Sequence, residues 1–216
     1  MRPSLRALQA LVLAPYLLLA GNLWFVCDDA YISFRYARNA ALGHGFRYNL
    51  GDELPVEGYS NFLWTALAAL VELVGAPPEH VLPAISLLCG AGLLLHLTHT
   101  AHRLGLGPVG VASGGLLLAC SPSFGAWATS GLDTMPMAWA LFALVERLVL
   151  ARGPSATRAA VLAAMALCLI RTEGPAWMVV VVGLALGVRL LRREERPWSE
   201  PLTVLGAAGL VVAAHV

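Results

Sequence analysis

Charge is scarce in this chain. Only 12% of its 216 residues are Asp, Glu, Lys or Arg, about half the roughly 25% of an ordinary soluble domain. Lysine is absent altogether: all 14 cations are arginines, and against 13 acids they leave a net charge of +1. No basic field is available to attract a polyanion, which excludes a nucleic-acid binder. Cysteine is equally thin. Cys27, Cys89, Cys120 and Cys168 stand singly, without a C-x-x-C pair or a local histidine partner. Neither a zinc centre nor a disulfide framework is expected, and no metal ligand is assigned. Three of the four lie in apolar runs, so the thiols are expected to be buried and to pack as small hydrophobes. What remains is apolar. A hydrophobic share of 58% and a mean hydropathy of +0.72 exclude disorder and describe an all-α, polytopic membrane protein.

A helix needs about 20 apolar residues to cross the hydrocarbon, with roughly 17–25 the usual range. Residues 5–26, 81–101, 109–124, 134–151, 159–170 (begun near Ser155), 175–191 and 202–216 read as about seven spans. The last stops in mid-run, so residues 1–216 are expected to be the N-terminal transmembrane module of a longer protein. Residues 62–74 are too short to cross and contain Glu72. Arginine placement decides their role, because cytoplasmic flanks collect cations. If this segment lies along the surface and the N-terminus is inside, Arg35, Arg38, Arg47 and Arg171 lie outside and the other ten arginines inside. If it crosses, only Arg2, Arg6 and Arg171 stay inside. The first arrangement is expected. The first apolar run also has the basic start of a signal peptide, but its length and the lack of a small-x-small cleavage site favour a retained helix.

Residues 28–75 then form an outer loop with interfacial helices, and six of the thirteen acids lie in it, from Asp28 to Glu72. It opens Asp28-Asp29-Ala-Tyr-Ile-Ser-Phe-Arg35-Tyr-Ala-Arg38-Asn39. On a helix, Tyr31, Arg35 and Arg38 share one face and Ala30, Phe34, Ala37 and Ala41 another, an amphipathic pattern suited to the headgroup layer. Gly43-His44-Gly45 permits a tight reversal after it. Two adjacent carboxylates at a membrane boundary repel each other and are partly desolvated, so at least one pKa is expected to rise, as suits a general base. Equally, the pair stops the span and Asp29 caps the next helix. Arg35 and Arg38 grip a phosphate or simply snorkel.

The string continues Gly43-His-Gly45, Tyr48-Asn49, Gly51-Asp-Glu53 and Val56-Glu57-Gly-Tyr59-Ser-Asn61-Phe-Leu-Trp64, with Thr129-Ser-Gly-Leu-Asp133-Thr134 and Arg171-Thr-Glu173-Gly174 further on. Together these resemble the C-type membrane glycosyltransferases, most closely the bacterial and mycobacterial terminal arabinofuranosyltransferases. Relatives tend to have Glu at the position of Asp133 and Pro at that of Thr172. The resemblance implies a transmembrane helical module with juxtamembrane helices in its first outer loop. It implies transfer of a sugar, arabinofuranose in that family, from a polyprenyl-phosphate donor to a cell-envelope glycan acceptor. The active site would be extracytoplasmic, in a bacterial inner membrane. The outer-loop aspartate would be the base: Asp28, with Asp29 holding an arginine or the sugar, or the reverse. A lipid-linked sugar is the co-substrate. Some members of the superfamily use a divalent cation near the aspartates, and nothing in this sequence demands one.

Under this topology Asp133 and the Arg171–Glu173 pair also reach the outer side. Arg171 would neutralise the departing phosphate with Glu173 orienting it, or the two form a plain ion pair. Asp133 binds substrate or caps the helix from Thr134. Glu57, Tyr59 and Asn61 suit sugar hydroxyls and Trp64 a sugar face; alternatively Ser60 or Asn61 is an N-cap and Trp64 an interface anchor. His44 approaches phosphate or stays in solvent. His96, His99 and His102 drift round their helix on the cytoplasmic side and are expected at a helix C-terminus, not on a metal. The arginines from 189 to 196 are expected to touch anionic headgroups. The competing class is a non-enzymatic lipid-carrier flippase or transporter, which would bury ionisable residues within broken helices.

Overall fold

The computed structural model describes residues 3–51, 56, 58–194 and 197–215. Helices hold 76% of the chain and no strand occurs among the described residues, so the all-α expectation stands. The elements are α1 (Leu5–Asn22), α2 (Asp28–Ala41), α3 (Phe62–Leu73), α4 (Pro78–Arg103), α5 (Pro108–Ala119), α6 (Pro122–Trp127), α7 (Thr134–Val145), α8 (Pro154–Ile170), α9 (Gly174–Leu191) and α10 (Ser199–His215). Three of these, α1, α4 and α9, are long and apolar enough to cross a membrane.

The other expected spans differ from their sequence outlines for local reasons. The first ends at Asn22, not Val26. Residues 109–124 are not one helix: α5 stops after twelve residues, and α6 restarts at Pro122 with the Ser121 hydroxyl accepting from Phe124 N–H at 3.5 Å. A proline inside a helix removes a donor and crowds the preceding turn, so the Ser-Pro pair marks a break. α7 passes at Glu146 into a π-helical turn that runs to Leu150. α8 begins at Pro154 and reaches 17 residues. α2, α3 and α4 end alike, with Gly43, Gly75 and Gly105 at φ +85°, +76° and +78°. The next amide reaches back five residues in each, as in Ala76 N–H to Val71 O at 3.1 Å. This is the glycine-dependent Schellman cap.

The chain divides into two compact units, residues 1–59 with 64–136 and residues 60–63 with 137–216. In the first, α1 packs on α4, α5 and α6. The fully buried Tyr16 donates to Leu87 O at 2.8 Å, and its ring occupies space that any side chain at Gly90 would fill. A second core lies under α2, where Ala30, Phe34 and Ala37 meet Trp64, Ala68, Ala69, Val71 and Leu82. That is the apolar face expected of α2.

The second unit is built from α7 to α10 around Leu144, Leu148, Leu167, Val181 and Val204. Ala156, Ala160 and Ala164 form a small-residue stripe on α8, which lets backbones approach closely. Arg189 corrects an expectation. It is 1% exposed, donates to Leu148 O at 3.0 Å and pairs with Glu200. It therefore cannot touch headgroups. Its burial is compensated by a carboxylate and by a carbonyl of the π-helical turn. Burial works against the Glu200 anion, but hydrogen bonds from Arg189 and from Gly153 N–H, with the guanidinium charge, hold its pKa below the usual carboxylate value.

Candidate functional site

The paired aspartates open α2. Cys27 occupies the N-cap with extended backbone (φ −69°, ψ 144°), and Asp28 and Asp29 are the first helical residues. Negative charge there is favoured by the unsatisfied amides and the helix dipole. The expected capping by Asp29 is not what forms; the cap position falls two residues earlier. Asp28 Oδ1 accepts from Asp29 N–H at 3.1 Å and from Cys27 Sγ at 3.3 Å. Both carboxylates are exposed on the protein. Cys27 is half-buried and Cys120 exposed; only Cys168 is the buried thiol expected of the set. Partial burial pushes the Cys27 thiol above its usual value, and the neighbouring Asp28 and Asp29 carboxylates push it further.

Two segments lock this helix start in place. Cys27 N–H donates to Ser130 O at 2.8 Å. Trp64, 3% exposed, donates its indole N–H to Gly131 O at 2.9 Å. Gly131 has φ +80°, and a Cβ there would lie 3.1 Å from Ala30 Cβ and 3.2 Å from Val26 Cγ1. Only glycine suits both the left-handed backbone and the close approach. The Asp28 string, Trp64 and the Ser130–Gly131 piece thus meet beside the aspartates. Trp64 is a buried strut, so it offers no ring face to a sugar and no anchor to an interface.

Arg35 is occupied as well. Its Nε donates to Tyr48 O at 2.8 Å, an Nη donates to Asn49 Oδ1 at 3.3 Å, and the guanidinium lies 4.3 Å over the Tyr48 ring. Asn39 Nδ2 adds a bond to Arg47 O at 2.6 Å. These contacts fold the loop after Gly45 back on α2, so Arg35 holds the loop where the sequence suggested a phosphate grip. Tyr59 likewise packs edge-on to Tyr36, with centroids 4.8 Å apart. The Arg38 guanidinium makes no hydrogen bond or ion pair with another described residue. It faces an open cleft of about 770 Å³ between α2 and the α3–α4 turn, lined also by Tyr31, Phe34, Glu72 and Glu79.

The remaining candidates lie as follows. His44 is exposed between its two glycines, and Asn61 is buried. Glu57 lies outside the described residues. Asp133 is 1% exposed and directly precedes α7. In the second unit Arg171 Nε pairs with Glu173 at 2.6 Å, and Thr172 N–H donates to Ser60 O at 2.9 Å. Gly174 is required there, because a Cβ would overlap Leu167 O. Among the described residues, Cys27, Asp28 and Asp29 are the group whose potential metal-ligand atoms lie within 4.8 Å of one another. Two exposed carboxylates fit a hard divalent cation that completes its shell with water or phosphate oxygens. A protonated thiol adds little to such a set. Sequence reasoning missed Cys27, Ser130 and Gly131 as the seat of the aspartates, and Glu72 and Glu79 as residues that line the cleft with Arg38. Only the glycine carried a local signal.

No family model, curated protein or solved structure matches this chain.

Proposed function

We propose that the chain is the transmembrane module of a glycosyltransferase that takes a sugar, of the arabinofuranose kind, from a polyprenyl-phosphate donor to a cell-envelope glycan. In this reading the N-terminus is cytoplasmic, about seven segments cross the bacterial inner membrane, and residues 28–75 lie outside. Asp28 accepts the proton of an acceptor hydroxyl as that oxygen attacks the anomeric carbon. The bond from that carbon to the carrier phosphate breaks with its electron pair, and polyprenyl phosphate leaves. Asp28 and Asp29 would also be the ligands of a divalent cation, which would supply positive charge at the phosphate.

The observation that carries this reading is the seat of the aspartates. Three separated pieces of the family-like string converge on one exposed carboxylate pair, through Cys27 N–H to Ser130 O and Trp64 to Gly131 O. A span stop alone needs no such seat. The test is transfer of radiolabelled sugar from polyprenyl-phosphate donors by membranes carrying the wild type, Asp28→Asn or Asp29→Asn. Loss of transfer in Asp28→Asn with unchanged membrane insertion supports the assignment, and equal activity in all three removes the aspartates from the chemistry.

One feature favours the transporter reading: Glu146 is 3% exposed and opens a π-helical turn, and such turns often mark functional positions in helices. Its own test is movement of a labelled lipid carrier across vesicles, without sugar transfer, that fails in Glu146→Gln.

A further inference from the structure

We infer that the cleft between α2 and the α3–α4 turn is a binding site for a neutral oligosaccharide, and that it feeds the chain's reacting hydroxyl toward Asp28. This rests on the glycosyltransferase reading and adds the recognition site for the acceptor. The cleft holds about 770 Å³ and is lined by Tyr31, Arg38, Glu72 and Glu79 among others, enough for several sugar rings at the scale of ordinary ligand pockets, roughly 300–1,000 Å³.

Its chemistry selects the ligand. The side chains of Arg38, Glu72 and Glu79 make no hydrogen bond or ion pair with another described residue, while Arg35 on the same wall is committed to Tyr48 and Asn49. Among the described residues, one cation without a side-chain partner facing two such carboxylates disfavours a phosphate. It suits a polyol, whose hydroxyls donate to Glu72 and Glu79 and accept from Arg38. Tyr31, half-exposed and braced edge-on against Phe34 at 5.5 Å, offers a face to the C–H side of a sugar ring. The far wall is rigid: the Gly75 cap turns α3 back, and Pro77 and Pro78 restart the chain as α4, which fixes Glu72 and Glu79 on one rim.

Helix geometry supplies the direction. At about 100° per residue, Asp28, Tyr31, Arg35 and Arg38 fall within roughly 80° of one another around α2, while Asp29 is turned about 100° away from Asp28. Asp28 therefore continues the cleft's own stripe, about 15 Å of helix rise from Arg38. An oligosaccharide lying along that stripe would present its end to Asp28, which distinguishes the two aspartates where sequence alone could not.

The test measures binding by isothermal titration to the full chain in nanodiscs, without donor, using a neutral arabinan hexasaccharide, polyprenyl phosphate and Mg²⁺ as separate probes. Glu72→Gln, Glu79→Gln and Arg38→Gln are each expected to raise the hexasaccharide Kd about tenfold, the effect of losing one charge-assisted hydrogen bond. Arg158→Gln, at an exposed position in the second unit, is expected to leave that Kd unchanged. If the three variants bind the hexasaccharide like the wild type, or lose only polyprenyl phosphate or Mg²⁺, the inference is overturned. Transfer activity separates it from the reading beneath: transfer that survives with unchanged acceptor KM in the cleft variants overturns the cleft alone. Cleft-dependent binding without transfer by the wild type keeps the cleft and removes the enzyme.

Discussion

Gly131→Ala tests whether the loop before α7 truly seats the aspartates, and Gly105→Ala is its matched control. Both glycines have nearly the same backbone, φ +80° and +78°, so both substitutions incur the left-handed penalty of about 1–2 kcal/mol. They differ in what the new methyl meets. At Gly105 nothing lies within 4 Å, whereas at Gly131 the methyl lies 3.1 Å from Ala30 Cβ and 3.2 Å from Val26 Cγ1. Ala30 is fully buried on a helix, and a β-branched valine is stiff at χ1. Neither neighbour has a flexible end to give, so crowding adds about 1–3 kcal/mol at Gly131. The loop should move off α2, and the first bond lost is Cys27 N–H to Ser130 O. Each 1.4 kcal/mol is about a tenfold change in an opening equilibrium. Hydrogen exchange should therefore find the Cys27 amide at least about tenfold less protected in Gly131→Ala and unchanged in Gly105→Ala. Equal protection in both variants would refute the seating and, with it, the geometric ground for singling out this carboxylate pair.

Other perturbations have separate readouts. Trp64→Phe leaves the buried Gly131 carbonyl without its indole donor; it should cost about 1–3 kcal/mol in denaturant unfolding. Arg35→Met removes the bonds to Tyr48 and Asn49 and should open residues 43–51 to limited proteolysis while α2 keeps its helicity. The Cys27 thiol, raised by burial and by its acidic neighbours, should react with maleimide slowly near neutral pH. Asp28→Asn should move the labelling midpoint to lower pH, in a chain whose other cysteines are alanine. Glu200 is ionised more readily in the folded state than in the unfolded chain, so its contribution is full above the ordinary carboxylate range and falls as pH drops through its lowered value. Glu200→Gln should flatten that acid limb in thermal melts.

What the sequence disclosed about this molecule was local, and what it concealed was long-range. The two faces of α2 were readable because helical period alone sorts Ala30, Phe34 and Ala37 from Tyr31, Arg35 and Arg38, and the structure buries the first set. The short helix at residues 62–73 was readable from its length and Glu72. The Ser121-Pro122 break was present in the letters, yet hydropathy averaging hides a break that depends on one missing amide. Arg189 shows the deeper limit. A cation beside other arginines at a span end carries the same local signal whether it meets water, headgroups or a carboxylate eleven residues later. Its burial is decided by Glu200 and by Leu148 O, neither of which its own neighbourhood predicts. The same holds at the site. Asp28 and Asp29 were legible as a pair because adjacent acids at a span end are unusual. That Arg35 would be committed to the loop and Arg38 left open to the cleft follows from where Tyr48, Asn49, Glu72 and Glu79 come to lie. Chemistry assigned from residue type alone gave both arginines one role, and tertiary contacts divided them.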